Sequence, residues 1–254
     1  MTTEHSTTTS TARRWRELPV HVIAKPTGPL CNLRCRYCFY LEKESLYPNE
    51  SNWRMSPATA ETYVRQYIEA QPEGVTEIDF AFQGGEPTLL GIDFFRDIVE
   101  LQKKYARPGM TVRNSLQTNG LLLSDDWCEF LAANRFLVGI SIDGPADLHD
   151  RHRVDASGKG THARVMQAVE RMQRHGVEFN ALVCLYRDNA ARPQRVYNFF
   201  RDAGINFLQF IPIVEPLEKQ SGAAGERSGA SPMVSDISVL PEQFGRFLCE
   251  VYDI

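Results

Sequence analysis

The sequence predicts an α/β fold of parallel strands, with six βα units making a partial (β/α)6 barrel rather than a closed one of eight. Three observations carry that prediction. Short apolar or β-branched runs alternate with segments of helical spacing. Polar, glycine-containing connections separate the two, as right-handed crossovers between parallel strands require. The 254 residues, 43% hydrophobic and 24% charged, suffice for one catalytic-sized domain with a large core. A flat, doubly wound sheet has the same rhythm, so periodicity alone leaves that alternative open.

Taken in order, residues 1–19 are rich in Thr and Ser, lack the apolar stretch of a secretory signal, and read as a disordered tail. Arg13, Arg14 and Arg16 hint at a transit peptide, but Glu4 and Glu17 speak against it. The core domain is expected over residues 20–215. Its strands are Val20–Lys25, Thr76–Phe82, Thr111–Gln117, Phe136–Ile142, Val177–Tyr186 and Ile205–Val214. Tyr63, Val64, Tyr67 and Ile68 mark the first helix, with Ser56 as N-cap and Pro57 in the first turn, where a missing N–H costs nothing. Phe94–Tyr105 and Trp127–Leu131 follow. Val165, Ala168, Val169 and Met172, then Val196, Phe199, Phe200 and Ala203, repeat the i, i+3, i+4, i+7 spacing of one-sided helices. Residues 216–239, rich in Gly, Ala, Ser and charge, read as a flexible loop or insertion, and 240–254 as the helical start of a truncated C-terminal region.

Composition narrows the function. With 28 Lys+Arg against 32 Asp+Glu and a net charge of −4, nothing global favours nucleic acid or an anionic membrane. No apolar run approaches the roughly 20 residues that cross a bilayer. Six cysteines are too few for a disulfide scaffold, and three of them crowd into eight residues, which points to metal binding in a reducing, cytoplasmic setting.

In parallel α/β architectures ligands collect at the carboxyl ends of strands. The unusual residues do follow strands: the cysteine loop the first, Gly84-Gly85-Glu86-Pro87 the second, Thr118-Asn119-Gly120 the third, and Ser141-Ile142-Asp143-Gly144 the end of the fourth. Cys31-x3-Cys35-x2-Cys38 supplies three thiolates to a cubane [4Fe–4S] cluster, which has four irons and leaves one open. A structural zinc site completed by His21 or a distant thiol is the alternative. Cys128 and Cys184, among apolar residues, read as inert core thiols, and Cys249 carries no functional case.

Cys31-Asn32-Leu33-Arg34-Cys35-Arg36-Tyr37-Cys38 followed by Gly84-Gly85-Glu86-Pro87 resembles the signature of the radical S-adenosylmethionine (SAM) enzymes over about residues 20 to 215. The resemblance implies a partial barrel in which SAM chelates the open iron and is cleaved to methionine and a 5′-deoxyadenosyl radical. It implies that Gly84 and Gly85 let the backbone approach the ligand and that Glu86 meets the methionyl ammonium. Ser141 and Arg153 would meet the carboxylate, the Tyr37 backbone the adenine edge, and Val214 the adenosine, although an ordinary core valine is the competing reading there.

Phe39-Tyr40-Leu41, Phe82-Gln83-Gly84-Gly85-Glu86-Pro87-Thr88-Leu89, Ser115-Leu116-Gln117-Thr118-Asn119-Gly120 and Leu208-Gln209-Phe210-Ile211-Pro212 further resemble the anaerobic sulfatase-maturating enzymes. These are implied to oxidise a Cys or Ser of a sulfatase polypeptide to Cα-formylglycine, with a reductant such as flavodoxin or ferredoxin. Tyr40 and Gln83 would then lie near the target side chain. Their C-terminal cysteine-rich part, with its general-base aspartate, has no counterpart before Ile254. Another radical SAM peptide maturase and a non-catalytic metal-binding fragment are the alternatives.

Overall fold

The computed structural model describes residues 18–40, 43–46, 49, 53–217 and 234–254. The expected tail, apart from its last two residues, and the centre of the 216–239 segment lie outside them. Strand β1 (Ile23–Ala24) leads to α1 (Pro57–Glu69), β2 (Glu77–Phe82), α2 (Ile92–Tyr105), β3 (Thr111–Thr118), α3 (Asp125–Ala133) and β4 (Phe136–Ser141). Then come α4 (Ala146–His152), α5 (His162–His175), β5 (Phe179–Leu185), α6 (Arg187–Ala190), α7 (Pro193–Asp202), β6 (Leu208–Pro212) and α8 (Pro241–Tyr252).

All neighbouring strands pair in parallel, in the order β1-β2-β3-β4-β5-β6. A doubly wound sheet reverses its order at a switch point; this one does not, so the six strands form a partial, open barrel. Along β2, Ile78, Phe80 and Phe82 are buried while Glu77 and Asp79 are exposed. The apolar core therefore fills the space between one face of the sheet and the helices. Phe95 of α2 sits at its centre, packed edge-on against Phe82, Trp127 and Phe136. The opposite face carries Glu77, Asp79, Arg113 and Gln117.

Local sequence explains the element ends. Ser56 accepts the Thr59 N–H at 3.1 Å, with Pro57 opening α1 as expected. Asp150 of α4 caps α5, accepting the N–H groups of Thr161 and His162 at 2.7 and 2.8 Å. The first strand is far shorter than Val20–Lys25. Gln71, just past α1, exchanges hydrogen bonds with both backbone groups of Val20, and Tyr67 of α1 accepts the Val22 N–H, so this stretch is fastened to the helix and its end before it joins the sheet. Helices α4 and α6 were not expected; both are short and polar, without the period that betrays an amphipathic helix. Beyond β6, Pro216 bridges Val234, and Val239 donates to the Ile213 carbonyl. Among the described residues no helix is long and apolar enough to cross a membrane.

His149, fully buried, receives the Asp143 N–H on Nδ1 and places Nε2 3.0 Å from the Thr161 hydroxyl. Burial, with Arg153 and His162 adding to it, holds its pKa well below the ordinary histidine value. The unfolded chain then binds a proton that the folded chain excludes. Stability is complete above the ordinary histidine pKa and falls below it, by up to about 1.4 kcal/mol per pH unit from this group. Urea midpoints measured from pH 7.5 to 5 should show that acid slope, and His149→Gln should flatten it; equal slopes would contradict the assignment.

Candidate active site at the strand ends

A cavity of about 430 Å³ opens at the carboxyl ends of the strands. Its wall includes Cys31, Cys35, Cys38, Tyr37, Tyr40, Gln83, Gly84, Gly85, Ser141, Arg153 and Val214, which is every site residue expected from the sequence except Glu86.

The cysteine loop is held from two sides. On one, Gly85 donates to the Gly28 carbonyl at 2.8 Å and Glu86 to the Leu30 carbonyl at 2.7 Å. A Cβ at residue 85 would lie 2.0 Å from the Leu30 oxygen, and Gly84 has a φ of +129°. The two glycines thus admit a close approach of the chain's own 27–30 segment as well as forming cavity wall. On the other side, Arg34 and Arg36 donate backbone N–H bonds to the carbonyls of Val154 and His152 at 2.8 and 2.9 Å.

Behind the wall, the Glu86 carboxylate is 1% exposed and fully engaged. It accepts from the Thr88 N–H and hydroxyl, the Thr118 hydroxyl at 2.8 Å and the Asn119 N–H at 2.7 Å. Burial raises its pKa, and these hydrogen bonds pull against the rise. Glu86 therefore staples the β2 loop to the β3 loop.

The second staple was not foreseen. Asp143, wholly buried just past β4, accepts Arg153 Nε and Nη2 at 2.9 and 3.0 Å and the Cys184 N–H at 3.0 Å. It also accepts the Tyr37 hydroxyl from the cysteine loop. Burial is the largest influence on Arg153 and opposes its charge; Asp143, then Tyr37, Cys184 and Cys35, outweigh it, and its pKa stands well above the usual value. The motif Ser141-Ile142-Asp143-Gly144 marked the loop, but a partner 106 residues away in sequence left no local signal.

One expectation is corrected, and one competing reading is set aside. Cys184 is not an inert core thiol: it lines the cavity and accepts from Arg153 Nη2 at 3.6 Å. Val214 is not a core valine; it is 65% exposed at the rim. Cys128 is fully buried, as expected. Thr118 and Asn119 also line the cavity, and Asn119 Nδ2 lies 3.7 Å from Cys31 Sγ. Tyr40 receives the Lys25 ammonium on its hydroxyl.

The donor set fits an iron–sulfur cluster. The sulfur of Cys31 is approached by the N–H groups of Leu33 at 3.4 Å and Asn119, the kind of contact that stabilises metal-bound thiolate. Burial raises the pKa of Cys31 and pushes Cys35 up to about 12, so without metal both hold their protons, which metal must displace. Among the described residues no three His, Cys, Asp or Glu side chains converge as ligands of a single ion.

Comparison with known proteins gives a consistent picture. A family model of the radical SAM superfamily matches residues 26–200. A serine-type anaerobic sulfatase-maturating enzyme of Bacteroides thetaiotaomicron is 42% identical over 92% of this chain and 57% of that protein. A cysteine-type enzyme of Clostridium perfringens is 35% identical over 92% of this chain and 60% of its own length. The solved structure of native anSMEcpe with bound AdoMet and Cp18Cys peptide superposes with a TM-score of 0.78 at 35% identity, covering 93% of this chain and 59% of that one. The chain thus spans about three fifths of the length of these relatives.

Proposed function

The chain belongs to the radical SAM superfamily, and from that premise we propose that Cys31, Cys35 and Cys38 hold a [4Fe–4S] cluster whose open iron takes SAM, and that the protein oxidises a cysteine or serine of a sulfatase polypeptide to Cα-formylglycine. The observation that supports this most directly is the convergence of three thiols and several uncommitted polar groups on one cavity. Among the described residues the side chains of Gln83, Gln117 and Ser141, all in its wall, make no hydrogen bond. The two kinds of relative and the peptide-bound structure support the substrate class.

Bound by these cysteines, a reduced cluster would supply the electron for reductive cleavage of SAM and so the hydrogen-atom abstraction that starts the oxidation. The chain's own residues bind and orient. Gly84 and Gly85 offer backbone to the methionyl ammonium, and Glu86 acts from behind by fixing that backbone. Ser141 presents its hydroxyl to the SAM carboxylate, and Arg153, with Nε and Nη2 spent on Asp143, has Nη1 for the same group. The Tyr37 backbone faces the adenine and Val214 the adenosine. Tyr40, oriented by Lys25, and Gln83 flank the side chain to be oxidised. The electron comes from a flavodoxin or ferredoxin.

The test is anaerobic reconstitution followed by dithionite, SAM and a sulfatase-derived peptide. Release of 5′-deoxyadenosine together with an aldehyde on the peptide is expected. Release with a crosslinked or unchanged peptide would replace the formylglycine reading by that of another peptide maturase, and a colourless, zinc-loaded protein would end both.

A further inference from the structure

The outer surface of the cysteine loop carries a charge pattern that the reaction itself does not use. Burial alternates along the loop: Leu33 and Cys35 are buried, Arg34 and Arg36 exposed. The two arginines therefore lie on the exposed side of the loop, where Arg34 Nη1 donates to the carbonyls of Cys31 and Leu33 at 3.4 and 3.3 Å. The bonds from Arg34 to Val154 and Arg36 to His152, with the bridge between Leu33 and Asp155, set this loop beside the turn that leads into α5. That turn and the first turn of α5 add two exposed cations, Lys159 and Arg164, the latter close enough to Asp155 to act on its charge.

The acids of the same stretch are spent locally. Asp155 accepts the N–H groups of Ser157 and Lys159 and the Ser157 hydroxyl. Asp150 caps α5, and Asp188 pairs with Arg151. Arg36 makes no ion pair among the described residues. A chain of net charge −4 thus presents a basic patch over the residues proposed to hold the cluster.

We propose that Arg34, Arg36, Lys159 and Arg164 form the docking face for an acidic electron-carrier protein. The inference rests on the cluster reading above and names the partner that reading requires. Complementary charge steers such a carrier to this face at low salt. The covalent path from Arg36 to a cluster ligand is one residue to Cys35 and two to Cys38. In the transfer the carrier gives up one electron and the cluster takes it, falling from the 2+ to the 1+ state; no bond or proton moves.

The test uses reconstituted protein and a reduced flavodoxin as the acidic carrier. Lys159→Glu combined with Arg164→Glu lies outside the cysteine loop and should lower the second-order rate of cluster reduction about tenfold at low ionic strength. The difference should close toward 1 M salt, where the screening length is about 3 Å. Arg96→Glu with Lys103→Glu on α2 makes the same change of net charge and should have no such effect. Carbodiimide coupling of flavodoxin carboxylates to the wild type should place crosslinks at Lys159. Equal rates for the two double variants, crosslinks confined to other lysines, or capture of single-stranded RNA in preference to flavodoxin would overturn the proposal. Failure of the cluster reading is separate: dithionite would then release no 5′-deoxyadenosine from the wild type, whatever the crosslinks show.

Discussion

Asp143→Ala should cost about 3–5 kcal/mol, a large share of the roughly 5–15 kcal/mol that holds a domain folded, because it strands the Arg153 guanidinium in the interior without a counter-charge. Arg153 and Asp143 are 8% and 0% exposed at the side chain, and the carboxylate also takes the Cys184 N–H and the Tyr37 hydroxyl. One substitution removes the partners of three groups, on the cysteine loop, at the end of α4 and on β5. The urea midpoint should fall steeply. Asp143→Leu with Arg153→Met should recover much of the loss, since a buried pair replaced by apolar groups of similar volume is often neutral in stability. The cycle therefore separates the pair's coupling from the cost of stranding one member. A midpoint unchanged in Asp143→Ala would mean that the buried pair does not hold these elements together.

Cys31→Ala, Cys35→Ala and Cys38→Ala should each reduce iron and sulfide after reconstitution to background, with 5′-deoxyadenosine release falling alongside. Cys184→Ala should retain both, although this fourth thiol lines the same cavity. Iron and acid-labile sulfide analysis on the four variants checks the assignment. Loss of the cluster in Cys184→Ala, or its survival without Cys35, would assign the ligands differently.

Much of this architecture was legible in the sequence, for identifiable reasons. Alternating burial in β2 and the spacing of Val165, Ala168, Val169 and Met172 in α5 are direct prints of the core, and both elements lie where the pattern places them. The first strand misled because its apolar run meets Tyr67 of α1 and Gln71 just past it, a tertiary contact that local pattern does not encode. The cavity wall was legible through residues with unusual chemistry at strand ends. Glu86 was legible as important but not in its geometry: a lone carboxylate in sequence suggests a ligand, whereas its partners here are Thr88, Thr118 and Asn119. Asp143 stayed hidden because its meaning comes from Tyr37, Arg153 and Cys184, which only folding assembles.

Mössbauer spectroscopy of the iron-57-reconstituted protein, with and without SAM, tests the central assignment most directly. The account predicts that one iron of the cluster, the one without a cysteine ligand, changes its isomer shift when SAM is added. Four irons already fully ligated by protein, with a spectrum indifferent to SAM, would contradict it.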